Sequence, residues 1–174
     1  MEPGDIMLVR GHSPISRLIQ WITRSPYSHA ALVANESIII EADWGIRLRA
    51  VRNPYRDYDL YTADPTETQR RTIVAYGRGR IGYGYDLWRL LALALRELFH
   101  LRLPFLNAGD RLVCSELIDL AYREAGIDLR PDQPDGYVTP RDLALSPTIR
   151  KVGQDPSHSP EGPLRSPGVG RSGR

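Results

Sequence analysis

The chain carries one thiol, Cys114, and the run Arg111-Leu112-Val113-Cys114-Ser115-Glu116-Leu117 delivers it where irregular sequence becomes helical. A helix N-terminus presents unpaired backbone N–H groups and the positive end of the macrodipole, and both favour a thiolate. By default a lone cysteine is a small buried apolar residue. Its placement at a loop-to-helix junction points instead to a nucleophile. A thiolate nucleophile needs a base and a group to orient that base. His29 opens the otherwise apolar run Ala30-Ala31-Leu32-Val33-Ala34 and is the candidate base. The remaining histidines are weaker candidates: His12 falls in a turn beside Gly11, His100 ends a helical stretch, and His158 lies in a Pro-rich tail.

Hairpin arithmetic supplies a third group. With a loop of Ala34-Asn35-Glu36, Val33 pairs with Ser37, and continuing outward His29 falls opposite Glu41. Directly paired residues share a face with Cβ atoms about 5 Å apart. A carboxylate there accepts from one imidazole nitrogen while the other faces the thiol. Glu41 also ends the apolar run Ile38-Ile39-Ile40, where an unpaired charge is costly. A slip of two residues places Asp43 opposite His29 instead, which makes Asp43 the second choice. A slip of one residue puts base and carboxylate on opposite faces.

The elements that must position these groups follow from local patterns. Residues 6–10 read as a first strand after the Pro3-Gly4 turn. Ser13 is an N-cap with Pro14 at the first helical position, and Ile15, Leu18, Ile19 and Ile22 follow at helical spacing. Residues 28–34 and 37–42 read as strands joined by a turn at Asn35-Glu36, and 58–63 as another. Helices are expected over 66–78, 85–101 and 115–125, the last ended by Gly126, with a short helical turn from Pro140. Strands early and helices late imply an α+β fold.

At 174 residues the chain fits one domain, and 41% hydrophobic with 25% charged residues is ordinary globular composition. Beyond about Val152 the sequence turns to Pro, Gly, Ser and Arg, so the expectation is a folded unit over residues 1–150 and a disordered tail over 151–174. A net charge of +2 without a basic stripe argues against nucleic acid as a partner. Lys151 is the only lysine against many arginines, the codon signature of a GC-rich bacterial or phage genome. One cysteine excludes an internal disulfide and a multi-cysteine metal site, and no cofactor or metal is expected. The glycines of 77–84 are interleaved with Arg78 and Arg80 and follow no apolar strand, so they do not form a phosphate loop. No cleavable signal and no transmembrane segment is read, and the expected location is cytoplasmic or exported without a signal peptide.

Taken together, Gly4-Asp5-Ile6, Ser28-His29-Ala30, Ile40-Glu41-Ala42 and Val113-Cys114-Ser115-Glu116-Leu117 resemble a circularly permuted NlpC-type, papain-like cysteine hydrolase. Gly82-Tyr83-Gly84-Tyr85-Asp86 is similar to a Gly-x-x-Tyr-Asp element of that superfamily, and Tyr137-Val138-Thr139-Pro140-Arg141-Asp142-Leu143 resembles its closing stretch. In permuted members the histidine and the third polar residue precede the cysteine, as here. The resemblance implies a Cys114–His29–Glu41 triad, an acyl-enzyme intermediate, and hydrolysis of an amide in a cell-wall-type peptide. It also implies that the Cys114 N–H contributes to the oxyanion hole. Tyr27 and Tyr137 are candidate substrate contacts, and Asp5 orders the first turn.

Two alternatives remain open. One is a lipid acyl hydrolase or acyltransferase like the lecithin-retinol acyltransferase branch. That branch tends to place a second histidine where this chain has Glu41, and an asparagine where it has Val113. The other is an inactive scaffold binding a peptide or partner through the same groove. Residues 85–101 are longer and more apolar than a minimal version of the fold needs. They are expected as a core helix plus a covering hairpin, or as an apolar contact to lipid or a partner.

Overall fold

The computed structural model describes residues 1–42, 48–82, 84–85, 111–112, 114–131 and 138–154. Their order is β1 (Ile6–Val9), α1 (Pro14–Thr23), β2 (His29–Val33), β3 (Ile38–Ala42), β4 (Leu48–Arg52) and β5 (Tyr58–Thr62). Then come α2 (Glu67–Gly79), β6 (Gly84–Tyr85), β7 (Arg111–Leu112), α3 (Cys114–Glu124), α4 (Pro140–Ala144) and β8 (Arg150–Gln154). The fold is α+β. Six strands form an antiparallel sheet in the order β4-β3-β2-β1-β5-β8, and β6 and β7 form a separate parallel pair.

Both faces of the central strands are buried, which explains why β1–β3 read as continuous apolar runs rather than alternating ones. Ile6, Leu8, Ala30, Leu32, Ile40 and Ala42 join Ile73 and Val74 of α2 and Leu117, Ile118, Ala121 and Tyr122 of α3 in the main core. Met7, Val9, Ala31, Val33, Ile39 and Leu60 form a second, smaller cluster. Alternation along each strand divides the residues this way. At Gly77 an added Cβ would lie 2.8 Å from Leu32 Cδ2 and 3.1 Å from Ile40 Cδ1, so α2 packs against the sheet at a distance that a side chain would block.

Caps set the helix ends. Ser13 Oγ accepts from the Ser16 N–H at 3.0 Å and opens α1. Thr66 and Gln69 form a capping box at α2, and Thr139 and Asp142 form one at α4. Gly126, at φ +77°, follows the end of α3 in a conformation other residues rarely adopt. Asp5 orders the first turn, accepting from the Glu2 N–H at 2.8 Å and from Arg70 at 3.2 Å.

Three expectations need correction. Residues 151–154, assigned to the tail, belong to β8, an edge strand paired with β5, so the ordered unit extends past residue 150. Backbone pairing holds Lys151-Val152-Gly153, and its side-chain pattern carries no strand signal. Strand β4 was not expected, because Leu48-Arg49-Ala50-Val51-Arg52 does not alternate cleanly. Tyr85, expected to start a helix, lies in β6. Residues 86–101 and 155–174, with His100 and His158, lie outside the described residues.

Candidate active site

The hairpin register differs from the expected one by two residues. Leu32 pairs with Ile40 and Val33 with Ile39, so the count puts position 43, not 41, opposite His29. Asn35 Oδ1 accepts from the Ser37 and Ile38 N–H groups at 2.9 and 2.8 Å, and that turn lengthens the loop by comparison with the expected Ala34-Asn35-Glu36. A two-residue shift preserves the face, so Glu41 becomes the diagonal neighbour of His29 and still reaches it: His29 Nε2 to Glu41 Oε2 is 3.1 Å. Asp43 lies outside the described residues.

Cys114 enters from the other side. The Val33 N–H donates to Asp5 O, and alternation along an antiparallel strand then directs the Ala30 N–H toward β3. The β2–β3 ladder runs only over Leu32–Ile40 and Val33–Ile39, so at Ala30 the two strands have already parted. The first residue of α3 lies at this opening, where His29 and the Ala30 and Ser115 backbone N–H groups favour charge on the Cys114 sulfur. With Nε2 committed to Glu41, Nδ1 is the ring nitrogen available to the thiol. Ser115 Oγ donates to Val138 O, and Tyr122 OH donates to Gly4 O, which fixes α3 against the start of the chain and the segment before α4.

The electrostatics of the trio are mutually consistent. Burial alone would lower the His29 pKa, but hydrogen bonds to Cys114 and Glu41 outweigh it and push it up to about 9. Burial alone would raise Cys114, yet the hydrogen bond and charge of His29, with the two backbone donors, bring it below its ordinary value. Glu41 is 1% exposed; burial opposes its charge, and bonds from His29, Tyr55 and Arg49 hold its pKa below the usual carboxylate range. A raised imidazole beside a lowered thiol shifts the proton they share away from sulfur and toward nitrogen.

Two residues of this site were not anticipated. Tyr55 OH donates to Glu41 Oε2 at 2.5 Å, and its ring centroid lies 5.6 Å from that of His29. Arg49, opposite Glu41 in the β3–β4 ladder, donates to Oε1 at 2.9 Å. Recognition of β4 would have exposed Arg49; nothing local marks Tyr55, which follows an Asn53-Pro54 turn. Tyr27 is buried, and its hydroxyl donates to Asp59 at 2.5 Å and lies 2.9 Å from that of Tyr61. Its hydroxyl is thus held by Asp59 and Tyr61, and the Arg10 guanidinium, which lines the cleft, lies over its ring. Tyr137 lies outside the described residues.

A cleft of about 540 Å³ reaches His29 and Tyr55 between the Gly11–Ser16 segment and the Pro54–Asp57 loop. Gly11 holds one wall close: its N–H donates to Ser28 Oγ at 3.0 Å, and its carbonyl accepts from Gln20 at 3.0 Å. Cys114 is 2% exposed and is not part of the cleft lining. Among the described residues no three His, Cys, Asp or Glu side chains gather as metal ligands, and no helix is long and apolar enough to cross a membrane.

No family model and no curated protein matches this sequence. Among solved structures, the chain is similar to the crystal structure of metalloprotein yiiX from Escherichia coli O157:H7, designated DUF1105. The TM-score is 0.62 over 88% of this chain and 97% of that one, at 16% identity. At that identity the likeness shows a common fold and nothing about chemistry.

Proposed function

We propose that this protein is a cysteine hydrolase of the permuted NlpC-type, papain-like class, cleaving an amide bond in a cell-wall-type peptide through Cys114, His29 and Glu41. The observation that carries this reading is the His29 imidazole, bonded at Nε2 to a buried carboxylate and electrostatically coupled to the one thiol of the chain. The thiolate attacks the scissile carbonyl carbon and the C=O electrons move to oxygen. Collapse of that intermediate expels the amine, which takes the proton from the His29 imidazolium, and leaves a thioester on Cys114. Neutral His29 then removes a proton from water, which attacks the thioester. The second intermediate releases the carboxylic acid and restores the thiolate–imidazolium pair. Glu41 holds the ring orientation and stabilises its charge throughout. The Cys114 N–H is one oxyanion donor, worth about 3 kcal/mol in the transition state.

A metal-centre reading, raised by the description of yiiX as a metalloprotein, fits this donor set poorly. Glu41 is already engaged by His29, Tyr55 and Arg49, and among the described residues Glu41, His29 and Cys114 do not converge as a group that could hold a metal ion.

A second reading, hydrolysis or transfer of a lipid acyl group, draws on the cleft that reaches His29, walled in part by Val9, Ile15 and Pro54. Incubation with muropeptides and, separately, with phospholipid and a fatty acyl thioester tests both. Peptide cleavage that disappears in Cys114→Ala supports the amidase. Deacylation of lipid with muropeptides intact reverses the order. Inertness toward both, with an ordinary thiol titration, leaves a binding scaffold.

A further inference from the structure

Helix α1 turns its polar side inward and much of its apolar side out. Ser16, Ile22 and Thr23 are buried and Ile19 packs against the core, while Ile15, Leu18 and Trp21 are 51%, 50% and 69% exposed. Steps of three residues in a helix of 3.6 per turn place these three along one ridge. The ridge begins at the cleft, because Ile15 also lines it. Isolated exposed apolar residues need no explanation, but three in a row ending in tryptophan do.

The surrounding charge selects among occupants. Residues 14–24 contain no Asp or Glu, and Arg17 and Arg24 are exposed, as is Arg56 on the opposite lip of the cleft. The nearest acid on that rim, Asp57, is already faced by Arg10 at 2.9 Å and by His12 at 3.0 Å. A second copy docking by two-fold symmetry would set these arginines against each other, and three side chains offer far less than the roughly 800 Å² per partner of a stable interface. A shallow apolar ridge with an interfacial tryptophan and flanking arginines has the composition of a helix lying in a lipid headgroup region.

We propose that α1 docks this protein on an anionic lipid surface, with Ile15, Leu18 and Trp21 inserted among the acyl chains and Arg17 and Arg24 on the headgroups. The docking does not depend on which bond the site cleaves. It would hold the mouth of the cleft at the bilayer surface.

Co-sedimentation of the full chain with vesicles tests this, using phosphatidylcholine alone and phosphatidylcholine containing one-third phosphatidylglycerol. The protein should pellet with the anionic vesicles, less so at high salt. Leu18→Ser/Trp21→Ser should weaken that partitioning roughly tenfold or more, and Arg17→Glu/Arg24→Glu should weaken it without altering the apolar ridge. All four positions are exposed, so melting temperatures should hold; if one pair unfolds, the other still decides. Failure of the unaltered protein to pellet, equal binding to neutral vesicles, or variants that partition as it does would each overturn the proposal. Sedimentation velocity showing an oligomer that either double variant dissolves would overturn it in favour of an interface between copies.

Discussion

Replacement of Glu41 by Gln removes a charge while keeping the shape, and its effect should appear first on His29. The imidazole lies 3.1 Å from Glu41 and titrates at about 9, against 6.5 for a free side chain. A hydrogen bond to a charged group is worth about 1.5–3 kcal/mol net, and each pKa unit corresponds to about 1.4 kcal/mol, so losing the carboxylate should lower the His29 pKa by roughly 1 to 2 units. The Arg49 charge, no longer offset by a carboxylate at position 41, would press in the same direction, although at 43% exposure it is largely screened by water. ¹H–¹⁵N NMR of the imidazole nitrogens against pH measures this directly, with His29 assigned by the signals lost in His29→Ala. The expected midpoint is about 9 in the unaltered protein and roughly 7 to 8 in Glu41→Gln. The alkaline limb of any hydrolytic activity should move down with it. A midpoint near 6.5 in the unaltered protein, or one indifferent to Glu41→Gln, would refute the ion-pair reasoning.

Further outcomes are expected from other positions. Alkylation of Cys114 by iodoacetamide should persist well below pH 7 and move toward the ordinary thiol range in His29→Ala, since His29 is the largest influence lowering the thiol; turnover should vanish in Cys114→Ala with the fold retained. Asp59→Asn should cost roughly 2–4 kcal/mol in chemical denaturation, because it removes a buried carboxylate paired with Arg10 and with Lys151 at 3.0 Å. The carboxyls of Asp59 and Glu41 are held below their ordinary values, so their contribution is present above pH ~4.5 and drains away as acid protonates them; acid titration of Asp59→Asn should show a shallower loss. The His29 contribution has the opposite sign, full below about 6.5 and lost as pH rises through about 9. Gly11→Ala would put a Cβ 2.7 Å from Ser28 Oγ and closer still to Ser16 Oγ, crowding the wall beside His29; melting should fall by several degrees, and Gly11→Ser should fare no better.

Much of this protein was legible before any coordinates. Ser13 and Pro14 marked the start of α1, the helix expected over 66–78 lies within a residue of α2, Gly126 closed α3, and the apolar runs located β1, β2 and β3, because caps, breakers and periodicity are local signals written within a few residues. The candidates Cys114, His29 and Glu41 were found by residue type and by parity along a hairpin, and parity survives a register shift of two. The register itself was decided by how the Asn35 side chain closes the turn, and the gap that admits Cys114 was decided by where the β2–β3 ladder stops. Arg49 and Tyr55 reach Glu41 only because β4 folds back against β3 and the Asn53-Pro54 turn follows it, and β8 exists only because β5 offers an edge to pair with. Those are contacts between residues distant along the chain. Local propensity carries no record of them, since their free energy appears only when the whole sheet has formed.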